Sequence, residues 1–279
     1  MNWVPLLFID DVCHRLKHEA FKQVSQLSGS WSSFGAKHGE KRREFGFRCR
    51  VSNREVRYSL WRNTSYNEVT VADLNLEFDR ITTLAFDSAN SNDPCVSLRE
   101  FERVVLPTIA HHVRICSWPY LFPDRSDQNR IFFNAFKNCP VFNEIIVEEQ
   151  GEESRDFVVR QVELGNVQRL DLYSTDKWPE AENLAETLKK FVSSARFQIL
   201  CSPDLLIDDY ELFELFLERA LLKELKRGAF IATPAGNFDE NRLLALRPEC
   251  RDKGEWRIPD SNLRIALCHP EGMLCLKVE

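Results

Sequence analysis

An apolar anchor that returns every 25 to 31 residues constrains this chain more than any other feature. It stands at Leu84 in Ile81-x-x-Leu84-x-Phe86, at Ile115, at Ile145 in Phe142-x-x-Ile145-x-Val147, at Leu170 in Val167-x-x-Leu170-x-Leu172, at Ile199, and at Leu225. Between the anchors lie stretches with helical spacing: Leu98, Phe101, Val105 and Ile109; Phe132, Ala135, Phe136 and Cys139; Phe157, Val158 and Val162; Leu184, Leu188, Phe191 and Ala195. A single strand-plus-helix unit cannot bury its own apolar face, whereas stacked copies can. The pattern predicts an α/β fold: a leucine-rich-repeat-like array of alternating strands and helices. Such arrays offer a long surface, which points to binding more than to catalysis.

The flanks of the array differ from it. Leu6, Ile9, Cys13 and Leu16 recur at helical spacing, with Phe8 and Val12 widening the stripe and Pro5 placed for a first turn. A second short helix with Phe21, Val24 and Leu27 should stop at Ser28-Gly29-Ser30. Phe45, Phe47, Cys49 and Val51, then Val56, Tyr58 and Leu60, alternate about Ser52-Asn53-Arg54-Glu55, the pattern of a β-hairpin. Leu74, Leu76 and Phe78 alternate into the first anchor strand. The last helix, residues 208–222, is apolar nearly all round and is expected to be buried on most sides. Residues 234–254 should be loop-rich, and Leu263 to Val278 should form a second hairpin that caps the array, with Trp256 and Ile258 nearby. The domain reading is a helical module over 1–40, then residues 41–279 as a hairpin, the array and its cap.

Composition excludes several classes. With 37 basic against 43 acidic residues the net charge is −6, and Lys41-Arg42-Arg43 is too short for a nucleic-acid tail. No stretch approaches the ~18 apolar residues of a membrane helix. Nine cysteines, an odd number without a C-x-x-C pair, suit a reducing compartment, so a cytoplasmic or nuclear location is expected. Twenty phenylalanines predict a Phe-rich core.

The chain holds no glycine-rich phosphate loop, no G-x-S-x-G and no H-E-x-x-H. His14 and His18 have a spacing that could share a metal, but no third ligand is evident nearby. The run Glu148, Glu149, Glu152, Glu153 lacks calcium-loop spacing and reads as a solvated turn. The expectation is therefore no enzyme, no catalytic residue, no metal and no cofactor. The anchor strands offer a surface instead. Alternation sends Leu170 and Leu172 inward, and Arg169, Asp171 and Tyr173 outward, with Glu144, Ile146 and Glu148 in the matching places one strand earlier. Glu144, Ile146, Arg169, Asp171 and Tyr173 are the candidate residues for holding a protein substrate.

Val4-Pro5-Leu6-Leu7-Phe8-Ile9-Asp10-Asp11-Val12-Cys13-His14-Arg15-Leu16 resembles the opening of an F-box, with Val4-Pro5 at its Leu-Pro pair and Phe8, Val12, Cys13 and Leu16 at its apolar positions. Leu7 stands where that motif usually carries an acidic residue, and the segment before Trp31 looks short for its second half. Leu27-Ser28-Gly29-Ser30-Trp31, Arg160-Gln161-Val162-Glu163-Leu164, Leu170-Asp171-Leu172-Tyr173-Ser174, Trp178-Pro179, Phe216 to Leu221, Lys226 to Phe230, and Trp256-Arg257-Ile258 to Asn262-Leu263-Arg264 extend the likeness over most of the chain. Together they are similar to an F-box-like protein family expanded in nematodes. That resemblance implies a substrate receptor of an SCF-type ubiquitin ligase. Its head would bind a Skp1-like adaptor through Val4, Pro5, Leu6, Leu7, Phe8, Val12, Leu16 and Trp31, and its array would bind a protein substrate. The alternative is a non-catalytic protein-interaction repeat module with no ligase role. Neither reading involves nucleic acid or membrane.

Overall fold

The computed structural model describes residues 4–16, 18–52, 54–62, 65–75, 77–86, 92–118, 126–149, 151–173, 182–202, 210–234, 249–252, 255–257, 263–268 and 273–279. The chain is mixed α/β and divides into two compact units, residues 1–117 and 118–279. Ile258 and Leu76 lie outside the described residues.

The first unit begins with three helices: α1 (Leu6–Arg15), α2 (Phe21–Val24, after a 3-10 turn at His18–Ala20) and α3 (Ser30–Lys41). Ile9, Cys13, Phe21 and Val24 make the buried centre of this head, and Val4, Leu16, Trp31 and Phe34 pack around it. The third helix was not legible as one. Gly29, expected to end a helix, instead precedes α3 with φ 69°. Gly35 explains the odd composition: a Cβ there would come within 2.8 Å of Val24 and Ser25, so α3 can cross α2 this closely only without one.

Two strands follow as expected, β1 (Arg43–Ser52) and β2 (Glu55–Arg62), paired antiparallel from Phe45↔Arg62 to Ser52↔Glu55. Then come β3 (Ser65–Val69), β4 (Asp79–Phe86), β5 (Cys95–Ser97), the short α4 (Leu98–Glu100), a π-helical turn at Phe101–Val105, α5 (Leu106–His112) and β6 (Val113–Trp118). The sheet order is β6-β4-β1-β2-β3, with β5 also on β2 and with β1, β4 and β6 parallel. Leu74 to Phe78 is not a strand; Asn75 closes a turn there, its Oδ1 accepting from the N–H of Glu77 at 2.8 Å. Pro107 accounts for the π turn. It has no N–H, and its ring crowds the carbonyl four residues back, so the helix widens just before it.

The second unit alternates strictly: α6 (Ser126–Phe136), β7 (Phe142–Glu148), α7 (Glu152–Leu164), β8 (Arg169–Tyr173), α8 (Glu182–Ser193), β9 (Ile199–Cys201), α9 (Tyr210–Leu221), β10 (Phe230–Pro234). Strands β7, β8, β9 and β10 are parallel neighbours in sequence order. Helices α6 to α9 each pack on the next, as same-handed crossovers require when strands add in order. Then β11 (Glu249–Asp252), β12 (Glu255–Arg257), β13 (Leu263–Cys268) and β14 (Met273–Val278) continue the sheet antiparallel, in the order β10-β14-β13-β12-β11. The expected terminal hairpin is present, joined directly to β10 by β14, and Trp256 sits beside it on β12 opposite Ile265. Part of the expected loop, residues 249–252, is strand.

The register corrects two anchors. Ile145 pairs with Leu170, Leu170 with Leu200, and Leu200 with Ile231. All four are fully buried. Ile199 therefore takes the opposite face, because a shift of one residue flips a strand side chain. Leu225 lies in the turn after α9, and the buried row continues at Ile231 instead. Helix α9 is one-sided rather than buried on most sides: Leu212, Phe213 and Phe216 face the core, while Leu221 at its end and Leu222 just beyond it are exposed. The core is as aromatic as the composition predicts. The largest fully buried side chains are all phenylalanines, seven of them in this unit, with Phe133 and Phe157 ring centroids 5.2 Å apart.

Candidate functional site

Helix α1 turns one face into the head and leaves its first turn outside. Pro5 caps it, with its carbonyl accepting from the N–H groups of Phe8 and Ile9. Ile9 and Cys13, four residues apart, are buried, and Val12 and Leu16 are half-buried beside them. Leu6, Leu7 and Phe8 are 56%, 85% and 54% exposed. Of the residues expected to hold an adaptor, Pro5, Leu6, Leu7 and Phe8 thus share the surface, whereas Val4, Leu16 and Trp31 serve the packing of the head. Leu6 and Phe8 were expected on the inner stripe and are outside it. Leu27, 52% exposed, adds a further apolar side chain on the head.

The second set of candidates is brought together by strand register. Glu144 lies opposite Arg169, Ile146 opposite Asp171, and Glu148 opposite Tyr173. All point away from the buried row. Arg169 donates from Nε and Nη2 to Asp171 Oδ2, at 2.9 and 2.7 Å. This hydrogen bond, chiefly, raises the Arg169 guanidinium above its ordinary range. The face is less open than expected. Glu144, Ile146, Arg169 and Tyr173 are half-buried, and Asp171 is fully buried with Oδ1 lacking any hydrogen-bond partner. Ile199 and Cys201 belong to the same face, since they pair with Arg169 and Asp171. They were missed because the anchor in β9 was placed one residue early.

One further constellation was half seen. His14 Nε2 lies 3.0 Å from Asp10 Oδ2, and His38 Nε2 lies 2.9 Å from Asp10 Oδ1, so one carboxylate bridges two imidazoles. Arg80 Nη2 donates to His14 Nδ1. A guanidinium can only donate, so that nitrogen accepts and the His14 proton is on Nε2, facing Asp10. His38 is fully buried, and burial, its strongest influence, pushes its imidazole below the ordinary range. Among the described residues, Asp10, His14 and His38 are the group of potential metal-ligating side chains that converges. His18, whose spacing from His14 could have served a shared metal, lies instead against the Phe21 ring.

Among the described residues no helix is long and apolar enough to cross a membrane. Cys13, Cys49 and Cys95 form no disulfide. No family model matches the chain. No curated protein matches it either. Among solved structures, it is similar to the MycE methyltransferase of the mycinamycin biosynthetic pathway in complex with Mg and SAH, at 10% identity over 99% of this chain and 92% of that one, with a TM-score of 0.29. The same enzyme with Mg, SAH and mycinamycin VI matches over 99% and 93%, at 10% identity and a TM-score of 0.26. These neighbours are enzymes, and the sequence-based exclusion of enzymatic activity is withdrawn on that finding. So low a likeness assigns no reaction, metal or cofactor to this chain.

Proposed function

We propose that this chain is a protein-binding adaptor, the substrate receptor of an SCF-type ubiquitin ligase. In this reading its F-box-like head binds a Skp1-like subunit, and its leucine-rich-repeat-like array holds the protein substrate. One observation carries the reading: Leu6, Leu7 and Phe8, successive apolar residues on the first turn of α1, are more than half exposed. Apolar clusters of this kind mark partner sites, because leaving them in water has no structural benefit. Their exposure also fits poorly with a head that serves only as an end cap, in which Leu6 and Phe8 would lie against the hairpin. On the second unit, the face bearing Glu144, Ile146, Arg169, Asp171 and Tyr173 mixes charge with an aromatic ring, a composition suited to protein recognition.

The test is isothermal titration of the full chain with purified Skp1, beside a Leu7→Asp variant. Binding by the parent and its loss in the variant, with an unchanged urea midpoint, is the expected result. A parent that does not bind overturns the ligase assignment and leaves a protein-interaction repeat module without that role.

A further inference from the structure

We propose that Asp10, His14 and His38 form a binding site for a divalent transition-metal ion of the zinc class, one that clips α1 to α3. Asp10 and His14 are four residues apart, so their side chains meet on one face of α1. His38 reaches them from the last turn of α3. The three donor atoms lie within 4.8 Å of one another, and the carboxylate is 2.9 and 3.0 Å from the two ring nitrogens. Metal bonds of about 2.0–2.1 Å in a tetrahedral set separate neighbouring ligands by roughly 3.3 Å. Each Asp–His contact is within a few tenths of an ångström of that spacing, but they run from different carboxylate oxygens, Oδ2 to His14 and Oδ1 to His38, so ligation through one oxygen needs a turn of the carboxylate and a closing of the two rings.

The donor types select the ion. Two imidazoles and one carboxylate suit zinc, nickel, copper or ferrous iron, whereas magnesium and calcium prefer all-oxygen sets. Burial holds His38 in the neutral form that ligation requires. Asp10 and His14 keep 28% and 21% of their side chains exposed, which leaves the solvent side for a water in the fourth position. Asp10 alone holds the His38 ring by hydrogen bonding, so Nε2 can exchange that bond for an ion; the ring proton then sits on Nδ1, which is buried without a hydrogen-bond partner, and this lowers the affinity of the site.

One neighbour has the wrong polarity. Ligation through Nε2 moves the His14 proton to Nδ1, where it meets the N–H of Arg80. The guanidinium already donates to the carbonyls of Asp79, from Nη1 at 2.6 Å, and Glu77, from Nη2 at 2.8 Å, and these bonds hold it when it gives up His14. Its presence nonetheless weakens the site, because ligating histidines normally donate their second N–H to an acceptor. Arg80→Gln, which brings an amide oxygen to that nitrogen, should therefore bind the ion more tightly. A purely structural Asp–His pair gives no reason for such a gain.

Nothing here depends on the adaptor reading. The full-length, reduced chain, stripped of metal, is titrated with Co2+ and then with competing Zn2+. The expected result is one ion per chain, a visible Co2+ spectrum of tetrahedral nitrogen and oxygen ligation, and no thiolate charge-transfer band. Asp10→Asn and His14→Gln should lose at least about tenfold in affinity, and Arg80→Gln should gain by a similar factor. His18→Gln, outside the site, should match the parent. Circular dichroism reports whether each variant folds; if the weakened variants do not, the parent spectrum and Arg80→Gln decide. No bound ion in the parent, a thiolate spectrum, or unchanged affinity in folded His14→Gln overturns the proposal.

Discussion

Arg43 and Asp79 stand directly opposite each other on the parallel strands β1 and β4, joined by two hydrogen bonds, Nε to Oδ1 at 2.8 Å and Nη2 to Oδ2 at 2.5 Å. Asp79 is fully buried, while Arg43 is 37% exposed at its side chain. Its partner therefore carries the desolvation of the pair. Arg43→Met would leave a buried carboxylate with no cationic partner, only the N–H of Asn75 on Oδ2. The expected loss is about 2–3 kcal/mol, below the full range for a buried pair because one member reaches water. A urea midpoint that falls at constant slope checks it. Adding Asp79→Asn to that variant should recover part of the loss, since no charge is then left inside.

Gly46 lies across from Trp61 in the β1–β2 ladder, and a methyl group at Gly46 would overlap the indole ring. Gly46→Ala should cost about 1–3 kcal/mol, the usual penalty for forcing a packed neighbour aside. Trp61→Leu in the same chain should restore most of it. A Gly46→Ala variant as stable as the parent would show that the ring yields freely.

Gln161, fully buried on α7, donates from Nε2 to the carbonyls of Phe136 at 3.0 Å and Lys137 at 2.9 Å. It thereby supplies a donor to the Lys137 carbonyl past the end of α6 and a second one to the Phe136 carbonyl, which also accepts from the N–H of Cys139 at 3.0 Å. Gln161→Met fills the volume but takes the side-chain donor from the Lys137 carbonyl and leaves that of Phe136 with the N–H of Cys139. We expect a loss of about 2 kcal/mol, read by thermal or urea unfolding.

His112 should make the first unit acid-sensitive. It is buried, and burial, its largest influence, lowers its pKa. Its Nδ1 is bonded to the Thr108 carbonyl at 2.8 Å and its Nε2 has no partner, so a second proton would be stranded. The unfolded chain takes that proton near the ordinary pKa of about 6.5, and the folded one only at lower pH. Stability is thus fully present above that value and is lost as pH falls toward the lowered folded pKa, by up to about 1.4 kcal/mol per pH unit. His112→Gln should flatten the dependence of the unfolding free energy between neutral pH and pH 5. An unaltered slope would remove His112 from the account.

Much of the fold could be read from the chain because burial and period agree there. Phe45, Phe47, Cys49 and Val51 alternate in sequence and are all buried in the strand. Leu184, Leu188 and Phe191 share one face of α8 and are buried too. Failures came where another force replaced periodicity. Helix α3 is rich in serine and glycine because a close crossing needs small residues, and propensity alone reads that as a break. Glu152 and Glu153, taken for a solvated turn, open α7, where carboxylates favour the positive end of the helix dipole. In β9, adjacent Ile199 and Leu200 are equally apolar, so only pairing with β8 decides which one faces inward. His14 was tested against the residue four ahead, while its carboxylate partner lies four behind and its other neighbour comes from a distant helix. That second neighbour has no local signature at all.

The position of β14 between β10 and β13 has a consequence for biosynthesis. Strands β7 to β10 can assemble in the order in which they emerge from the ribosome, each docking on the last. Strand β10 then waits through residues 235–272 before its remaining neighbour is translated. Until β14 arrives, the growing chain displays an open ladder of unpaired N–H and C=O groups, the kind of edge that recruits other strands. Any stop codon or nick upstream of Met273 would make that exposure permanent. Quality control would see a truncated product as an aggregation hazard even though every parallel strand of the unit had been made.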